Sequence, residues 1–286
     1  MESQQIMKVA VIILNYNCSN DCRKCISSLK KQTGVGLEIV VVDNCSRPDD
    51  VAELRQLCAE QSCTLIENHE NHGYNAGNNI GLRYAAQKGY KYAMIANPDM
   101  EFPQTDYVTR LVDAMQQSSE IAICGSDIVD ANGLHQNPLN FVSFWSEFLW
   151  PTEVMKNNQT RALDHTQNKY CNVLVGCCLM VRMSFMEKIG YFDEGVFLYC
   201  EEAILAHQVQ RLGMKTYYLA DALAIHRHIK SEKGNPYKRL IILCNSRDYK
   251  NRHHSDYNSL QTALLYYSNC IRRWSLKLKL RFAHGE

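Results

Sequence analysis

Asn97-Pro98-Asp99-Met100 sets a carboxylate directly after the apolar run Tyr92-Ala93-Met94-Ile95-Ala96. Pro98 disfavours helix at Asn97, so the chain stays extended into the Asp. The run reads as a strand, and its end as the carboxyl edge of an open α/β sheet, where such sheets bind ligands. One Asp so placed can hold a divalent cation against a diphosphate. The same tetrapeptide could be an Asx-Pro turn leaving a sheet. His226-Arg227-His228 offers two imidazoles, common metal ligands when neutral, or else a solvated loop. Cys22-x-x-Cys25 has metal or redox spacing, but no second pair of matching spacing follows. Buried or half-buried free thiols are the expected reading.

Composition bounds the class of protein. The chain has 286 residues, enough for one large α/β domain or two small ones. With 46% hydrophobic and 21% charged residues it can bury a core. A net charge of +1 removes any global electrostatic case for nucleic acid. The charge is uneven, however. From Tyr257 onward the one acid is Glu286, while Arg272, Arg273, Lys277, Lys279 and Arg281 cluster. The 13 cysteines are odd in number and follow a polar stretch, Met1 to Lys8, that does not read as a signal peptide. A cytoplasmic protein with free thiols is expected. No run approaches the roughly 18 apolar residues of a membrane-spanning helix.

The elements that would position these groups follow from pattern. Val9 to Leu14 is a nearly continuous apolar run, as in a strand buried on both faces. Ser19 or Asn20 can cap a helix to about Lys31, with Cys22, Ile26 and Leu29 on one face. Leu37 to Val42 is a second buried strand that stops at Asp43-Asn44. Pro48 opens a helix from about Asp49 to Cys63, and Thr64 to Glu67 is a short strand. The segment Asn71 to Gly81 leads into a helix expected near Gly81 to Lys88. The fourth strand is Tyr92 to Ala96. This βαβαβαβ order predicts a parallel sheet with helices on its faces. A Rossmann oxidoreductase would carry G-x-G-x-x-G after the first strand, where Asn15-Tyr16-Asn17-Cys18 stands instead. No Gly-Lys-Ser/Thr follows the glycines Gly73, Gly77 and Gly81, so a P-loop is excluded too.

In order, the chain carries Val-Ile-Ile-Leu-Asn-Tyr-Asn (11–17), Val-Val-Asp-Asn-Cys-Ser (41–46) and Asn-His-Gly-Tyr-Asn-Ala-Gly-Asn-Asn-Ile-Gly (71–81). Asn-Pro-Asp (97–99), Val-Gly-Cys-Cys-Leu-Met-Val-Arg (175–182), Phe-Asp-Glu (192–194), Tyr-Cys-Glu-Glu (199–202) and Ile-His-Arg-His (225–228) follow. Together these residues resemble the family-2 inverting glycosyltransferases of the GT-A fold, and more closely the rhamnosyltransferase-like branch of surface-polysaccharide biosynthesis. The resemblance implies an α/β fold, a Rossmann-like, mostly parallel sheet flanked by helices with a C-terminal helical extension. It divides the chain into a GT-A domain at 1–235 (nucleotide-binding half about 8–100, acceptor-binding half about 101–235) and an extension at 236–286.

The resemblance also implies roles. Asn15, Tyr16 and Asn17 would line the base-binding edge, with Asp43 accepting from a pyrimidine imide N–H and Asn44 beside it. Asp43 could equally cap a helix or close an Asx-turn. Asn75, Gly77 and Asn78 would pass close to the nucleotide and donor sugar, or form a helix-start turn. Asp99 would coordinate Mg²⁺ or Mn²⁺ on the diphosphate, with Asn97 near ribose or a metal water. His226 would be a further metal or diphosphate ligand, and His228, with Lys230, Ser231 and Lys233, would close over the diphosphate. Glu202 would be the base that deprotonates the acceptor hydroxyl, with Glu201 the runner-up. Two acids at a helix start also have a plain use, in the field of the helix dipole. Many relatives carry a further Asp and an Arg where this chain has Ile204 and Gln208.

Two segments fall outside these motifs. Residues 134–170 show no clear period and carry Phe141, Phe144, Trp145, Phe148 and Trp150. They read either as a contact for a lipid-linked acceptor or as a hydrophobic flap or dimer contact. Asn258 to Phe282 reads as a basic amphipathic helix, fit to lie on an anionic membrane surface or to pack on the domain or a partner subunit. The expected activity is transfer from a UDP- or dTDP-sugar to a growing, lipid-linked glycan of capsule, O-antigen or exopolysaccharide. The alternatives are a nucleotidyltransferase or a nucleotide-sugar-binding scaffold without catalysis.

Overall fold

A computed structural model describes residues 7–149, 163–227 and 235–282. The first half alternates strand and helix: β1 (Lys8–Asn15), α1 (Ser19–Leu29), β2 (Gly36–Asn44), α2 (Pro48–Glu60), β3 (Thr64–Asn68), α3 (Tyr74–Gln87) and β4 (Tyr92–Ala96). Then come β5 (Met100–Glu101), α4 (Tyr107–Gln117), β6 (Ile121–Asp130), α5 (Phe144–Phe148), β7 (Lys169–Cys171), β8 (Cys178–Arg182) and α6 (Met183–Ile189). The chain continues through α7 (Glu201–Arg211), β9 (Lys215–His226), α8 (Pro236–His253) and α9 (Ser259–Phe282).

The nine strands of the described residues form one sheet in the order β3-β2-β1-β4-β8-β6-β9-β5, with β7 paired to β9. β1, β2, β3, β4, β6 and β9 run one way, and β5, β7 and β8 oppose them. β1 shows why its sequence is apolar from Val9 to Leu14. Val9, Val11 and Ile13 face a layer with Cys22, Ile26, Leu54 and Leu111. Ala10 and Ile12 face the opposite layer with Leu82, Met186 and Leu205. Helices cover both faces, so neither set of alternating side chains can be polar.

Three boundaries differ from the expectations of local pattern. α3 begins at Tyr74, a full two turns before the expected start. Gly and Asn are poor helix formers, which argues for a late start. Packing overrides this: a Cβ on Gly77 would lie 2.5 Å from Leu14 Cδ1, and one on Gly81 2.5 Å from Ile12 Cγ2. The glycines are thus the flat face on which α3 docks against β1. At α1 neither Ser19 nor Asn20 caps its own helix. Asp50 Oδ1 of α2 accepts from Ser19 N at 3.0 Å instead. The apolar pattern confines β9 to Thr216 through Leu219, yet the strand runs on to His226, because β6 pairs beside it as far as Asp130.

The C-terminal helices are tied to the sheet domain by polar contacts. His254 Nε2 and Tyr249 Oη lie 2.6 and 2.9 Å from carboxylate oxygens of Asp193. Ser246 Oγ donates to Leu198 O at 2.6 Å. Lys250 pairs with Glu147 of α5, and Asn251 donates to the same carboxylate at 2.8 Å. Arg272 of α9 donates to Phe148 O at 2.6 Å. The aromatic segment around α5 therefore packs on the C-terminal helices, with Phe144 against Phe148 and Tyr257, while Trp145 stays exposed. Among the described residues no helix is long and apolar enough to cross a membrane. Cys22 and Cys25 are buried free thiols in α1.

Candidate active site

The carboxyl ends of β1 and β2 hold the first cluster. Parallel register sets Asn15 opposite Asp43. Asn15 is fully buried, and its Nδ2 reaches Asp43 Oδ1 at 2.9 Å and Asp50 Oδ2 at 2.7 Å. It is enclosed and braces the carboxylates rather than facing outward. Asp43 Oδ2 accepts from Ser46 N at 3.1 Å. Two acceptances leave a carboxylate with further lone pairs. Tyr16 is exposed at this edge. Asn17 adopts a positive φ of 56°, and its Oδ1 accepts from Arg47 N at 2.8 Å. Asn44 is a buried clamp: its Nδ2 donates to Asn71 Oδ1 at 3.0 Å, and its Oδ1 accepts from Asn68 at 3.1 Å.

That clamp sets the start of α3. Gly73 sits at φ 101° and ψ −177°, a region essentially closed to other residues. Tyr74 N then donates to Phe197 O at 2.8 Å, so the helix start is satisfied from a distant loop. Tyr74 Oη lies 3.0 Å from both Asn97 Oδ1 and Gly176 O, two acceptors that share its one O–H. Burial and the nearby Glu201 charge push the Tyr74 phenol well up, so it remains a donor. Asn75 donates to Asp193 O at 2.6 Å and Asn78 to Tyr74 O at 3.0 Å. The Oδ1 atoms of both are buried with no hydrogen-bond partner among the described residues. Gly77, by contrast, faces Leu14 and Asn44 in the packing of α3 on the sheet.

Asp99 and His226 meet through strand pairing. β5 and β9 are antiparallel with Met100 opposite His226, and Arg227 N donates to Asp99 O at 2.9 Å. This brings His226 Nε2 to 3.2 Å from Asp99 Oδ1. His226 Nδ1 lies 3.2 Å from Gln136 Oε1. The imidazole is thus held between the Gln136 carbonyl and the Asp99 carboxylate, and such outer partners orient a metal-binding ring. These donors fit a divalent cation. Among the described residues no group of three His, Cys, Asp or Glu gathers to hold a metal by itself. His228, Lys230, Ser231 and Lys233 lie outside the described residues.

Glu201 and Glu202 open α7. The residues before them, Tyr199 and Cys200, both have positive φ, 73° and 68°. Two such residues in succession mark stored strain at the entry to the pair. Glu202 Oε1 accepts from Gly176 N at 3.3 Å, while Glu201 Oε2 is buried with no hydrogen-bond partner among the described residues. Burial, then the neighbouring Glu202 charge, pushes the Glu201 carboxyl well above the usual carboxylate range; burial raises Glu202 as well. Gly176 is in contact with both: a Cβ there would lie 3.3 Å from Glu202 Cγ and 3.4 Å from Glu201 Cγ. Tyr74 Oη touches Gly176 and Asn97 alike, so one set of hydrogen bonds joins the acid pair to the Asn97-Pro98-Asp99 turn. Sequence reasoning gives Tyr74, Gly176, Asp193 and Gln136 no role. Tyr74 and Gly176 sit inside recognisable motifs, but Gln136 carries no sequence signal at all.

The sheet thus carries an acid pair and an Asp/His pair at its carboxyl edge. Residues 10–190 match the family described as Glycosyl transferase family 2. The chain belongs to that family and is a glycosyltransferase. It is 31% identical over 222 residues to the low-salt glycan biosynthesis hexosyltransferase Agl10 of Haloferax volcanii, covering 76% of this chain and 66% of that protein. It is 24% identical over 229 residues to the rhamnosyltransferase WbbL of Escherichia coli K12, covering 76% of this chain and 83% of that one. Among solved structures, a mannosyltransferase from Pyrobaculum calidifontis in complex with GDP-Man and Mn²⁺ shares the GT-A fold. Its TM-score is 0.62 at 15% identity, covering 99% of this chain and 76% of that one.

Proposed function

We propose that this chain transfers a sugar, with inversion, from a UDP- or dTDP-sugar to a lipid-linked glycan in bacterial surface-polysaccharide synthesis, using Mg²⁺ or Mn²⁺. Residues 1–235 are the catalytic domain in this reading, 236–286 its extension, and the site faces the cytoplasm. The observation that carries the proposal is the meeting of Asp99 with His226, 3.2 Å apart, on the same hydrogen-bonded edge as Glu201 and Glu202. Support for a glycan acceptor comes from the relative named for glycan biosynthesis. Support for the metal comes from the donor set and from the Mn²⁺ in the solved neighbour.

Asp99 and His226 would hold the cation, with the donor diphosphate completing its shell. When bound, the cation supplies charge stabilisation to the departing nucleoside diphosphate. Asp43 would read the base through its remaining lone pairs, with Asn15 bracing it and Tyr16, Asn17 and Asn44 shaping that edge. The buried carbonyl oxygens of Asn75 and Asn78 would accept from donor hydroxyls or ordered water, and Asn97 would lie near ribose. Two adjacent buried carboxyls do not ionise together. Glu202, which accepts from the Gly176 N–H, keeps its charge and acts as the base on the acceptor hydroxyl. Glu201 carries the proton of the pair and binds acceptor or sugar hydroxyls.

The test is release of nucleoside diphosphate from a panel of UDP-, dTDP- and GDP-sugars, with Mn²⁺, Mg²⁺ or EDTA. Asp99→Ala and Glu202→Gln run beside the wild type, and nucleotide binding is measured in parallel. Metal-dependent release from one pyrimidine donor, lost in both variants, supports the reading. Release from GDP-sugars alone overturns the pyrimidine assignment. A substituted-nucleotide product identifies a nucleotidyltransferase, and no nucleotide binding with any metal overturns the catalytic reading.

A further inference from the structure

α9 has two unlike faces. Leu265, Asn269, Arg272 and Leu276 are buried, and Asn269 and Arg273 reach Asp248 of α8. This side docks on the rest of the protein. On the opposite side stand Leu260, Leu264, Tyr267, Ile271 and Trp274, with Leu278 in line. Their spacing alternates four and three, so they form one stripe along the helix. The stripe is open to solvent: Leu260 and Ile271 are 69% exposed and Trp274 66%. From Leu260 to Leu278 it runs roughly 27 Å at the usual helical rise. A continuous apolar stripe of that length on a water-facing surface marks a contact.

Charge selects what covers it. α9 contains no acidic residue from Ser259 to Phe282. Lys277, Lys279 and Arg281 are all exposed near its C-terminal end. A second copy of the helix would bring cations against cations and offer no acid to pair them. An anionic lipid surface pairs them and takes the apolar stripe into its headgroup boundary, where Trp and Tyr rings sit well. We infer that α9 lies flat on an anionic membrane with Leu260, Leu264, Tyr267, Ile271 and Trp274 inserted and Lys277, Lys279 and Arg281 at the phosphates. The inference rests on α9 alone and does not depend on the donor or on the assignment of the base.

The experiment is flotation of the full-length chain with vesicles of phosphatidylglycerol and phosphatidylcholine, and with vesicles of phosphatidylcholine alone. Two variants accompany it, I271S/W274S and K277E/K279E/R281E. The wild type is expected to float with the anionic vesicles and at least tenfold less with the neutral ones. Each cation near such a surface is worth about fivefold in partition, so the charge variant, which reverses three, should bind at least about a hundredfold more weakly. The apolar variant should lose binding to both. All five positions are solvent-exposed, so circular dichroism and nucleoside diphosphate release from donor alone should be unchanged. Failure of the folded wild type to float with anionic vesicles at low salt overturns the inference. So does undiminished flotation of both variants. Concentration-dependent self-association in sedimentation, abolished by I271S/W274S, would assign the stripe to a second copy and overturn it too.

Discussion

Gly73→Ala tests the link between the nucleotide edge and the acid pair. A Cβ on Gly73 would lie 2.2 Å from Phe197 O and 2.7 Å from Phe197 Cα. The atoms in the way are backbone, so no rotamer change relieves them. A carbon–oxygen contact rests at about 3.3 Å, so the Phe197 segment must move by roughly 1 Å. That segment leads directly into the strained Tyr199-Cys200 turn and the acid pair. The backbone conformation itself costs about 1–3 kcal/mol for alanine, and the Tyr74 N–H bond to Phe197 contributes about 1 kcal/mol more. The expected destabilisation is about 2–4 kcal/mol, a fall in Tm of roughly 5–10 °C. A shift of about 1 Å in a reacting group costs about a hundredfold in rate. The assay is kcat for nucleoside diphosphate release beside thermal unfolding, with nucleotide affinity as the control. Gly89→Ala is the comparison variant. Gly89 has a φ of 73° but nothing within 4 Å of a Cβ, so it should lose about 1 kcal/mol and no activity. If Gly73→Ala behaves like Gly89→Ala, Phe197 does not position the acid pair and the reasoning fails.

Four further outcomes are expected. Glu201→Gln should raise Tm at about pH 8 and leave it unchanged at about pH 4. The folded protein holds a proton on the raised Glu201 carboxyl that the unfolded chain releases, so wild-type stability falls as pH climbs through that interval. Equal effects at both pH values would refute the raised carboxyl. Activity should rise with pH through the raised range of the pair, since the base must be deprotonated, and a flat profile would argue against Glu202. Gln136→Leu should weaken Mn²⁺ binding, read in the presence of nucleotide, about 10–100-fold by freeing the His226 ring; unchanged affinity would detach His226 from the metal. Lys250→Met should cost about 3–5 kcal/mol in urea unfolding, because Glu147 is then left charged and buried, the two side chains being 8% and 4% exposed. Adding Glu147→Leu should recover most of that loss.

Much of the sheet is legible in the sequence because burial on both faces writes itself into composition. β1 and β4 carry continuous apolar runs and β2 one from Ile39 to Val42, and their ends at Asn15, Asp43 and Asn97 follow from hydrophobic pattern alone. The family motifs mark the same carboxyl edge. Boundaries set by distant partners are not legible. α3 begins at Tyr74 because Phe197 O accepts its N–H and because Leu14 and Ile12 occupy the space beside Gly77 and Gly81. Local propensity argues against that start. The side-chain cap expected from Ser19 or Asn20 belongs to Asp50, for the same reason.

The sequence by itself determined the fold class, the family and the chemical types available: carboxylates, imidazoles and amides at strand ends. These follow from local pattern, since hydrophobic period and motif order are properties of neighbours along the chain. Only the tertiary structure decided which of them meet. Asp99 and His226 are joined by the β5–β9 pairing, and Glu202 reaches Gly176 through a turn that no propensity favours. The face of α9 left open was likewise decided by which side α8 covers. Each of these depends on contacts between residues far apart in sequence, whose cost in chain entropy is met by the whole packed core and not by any local signal.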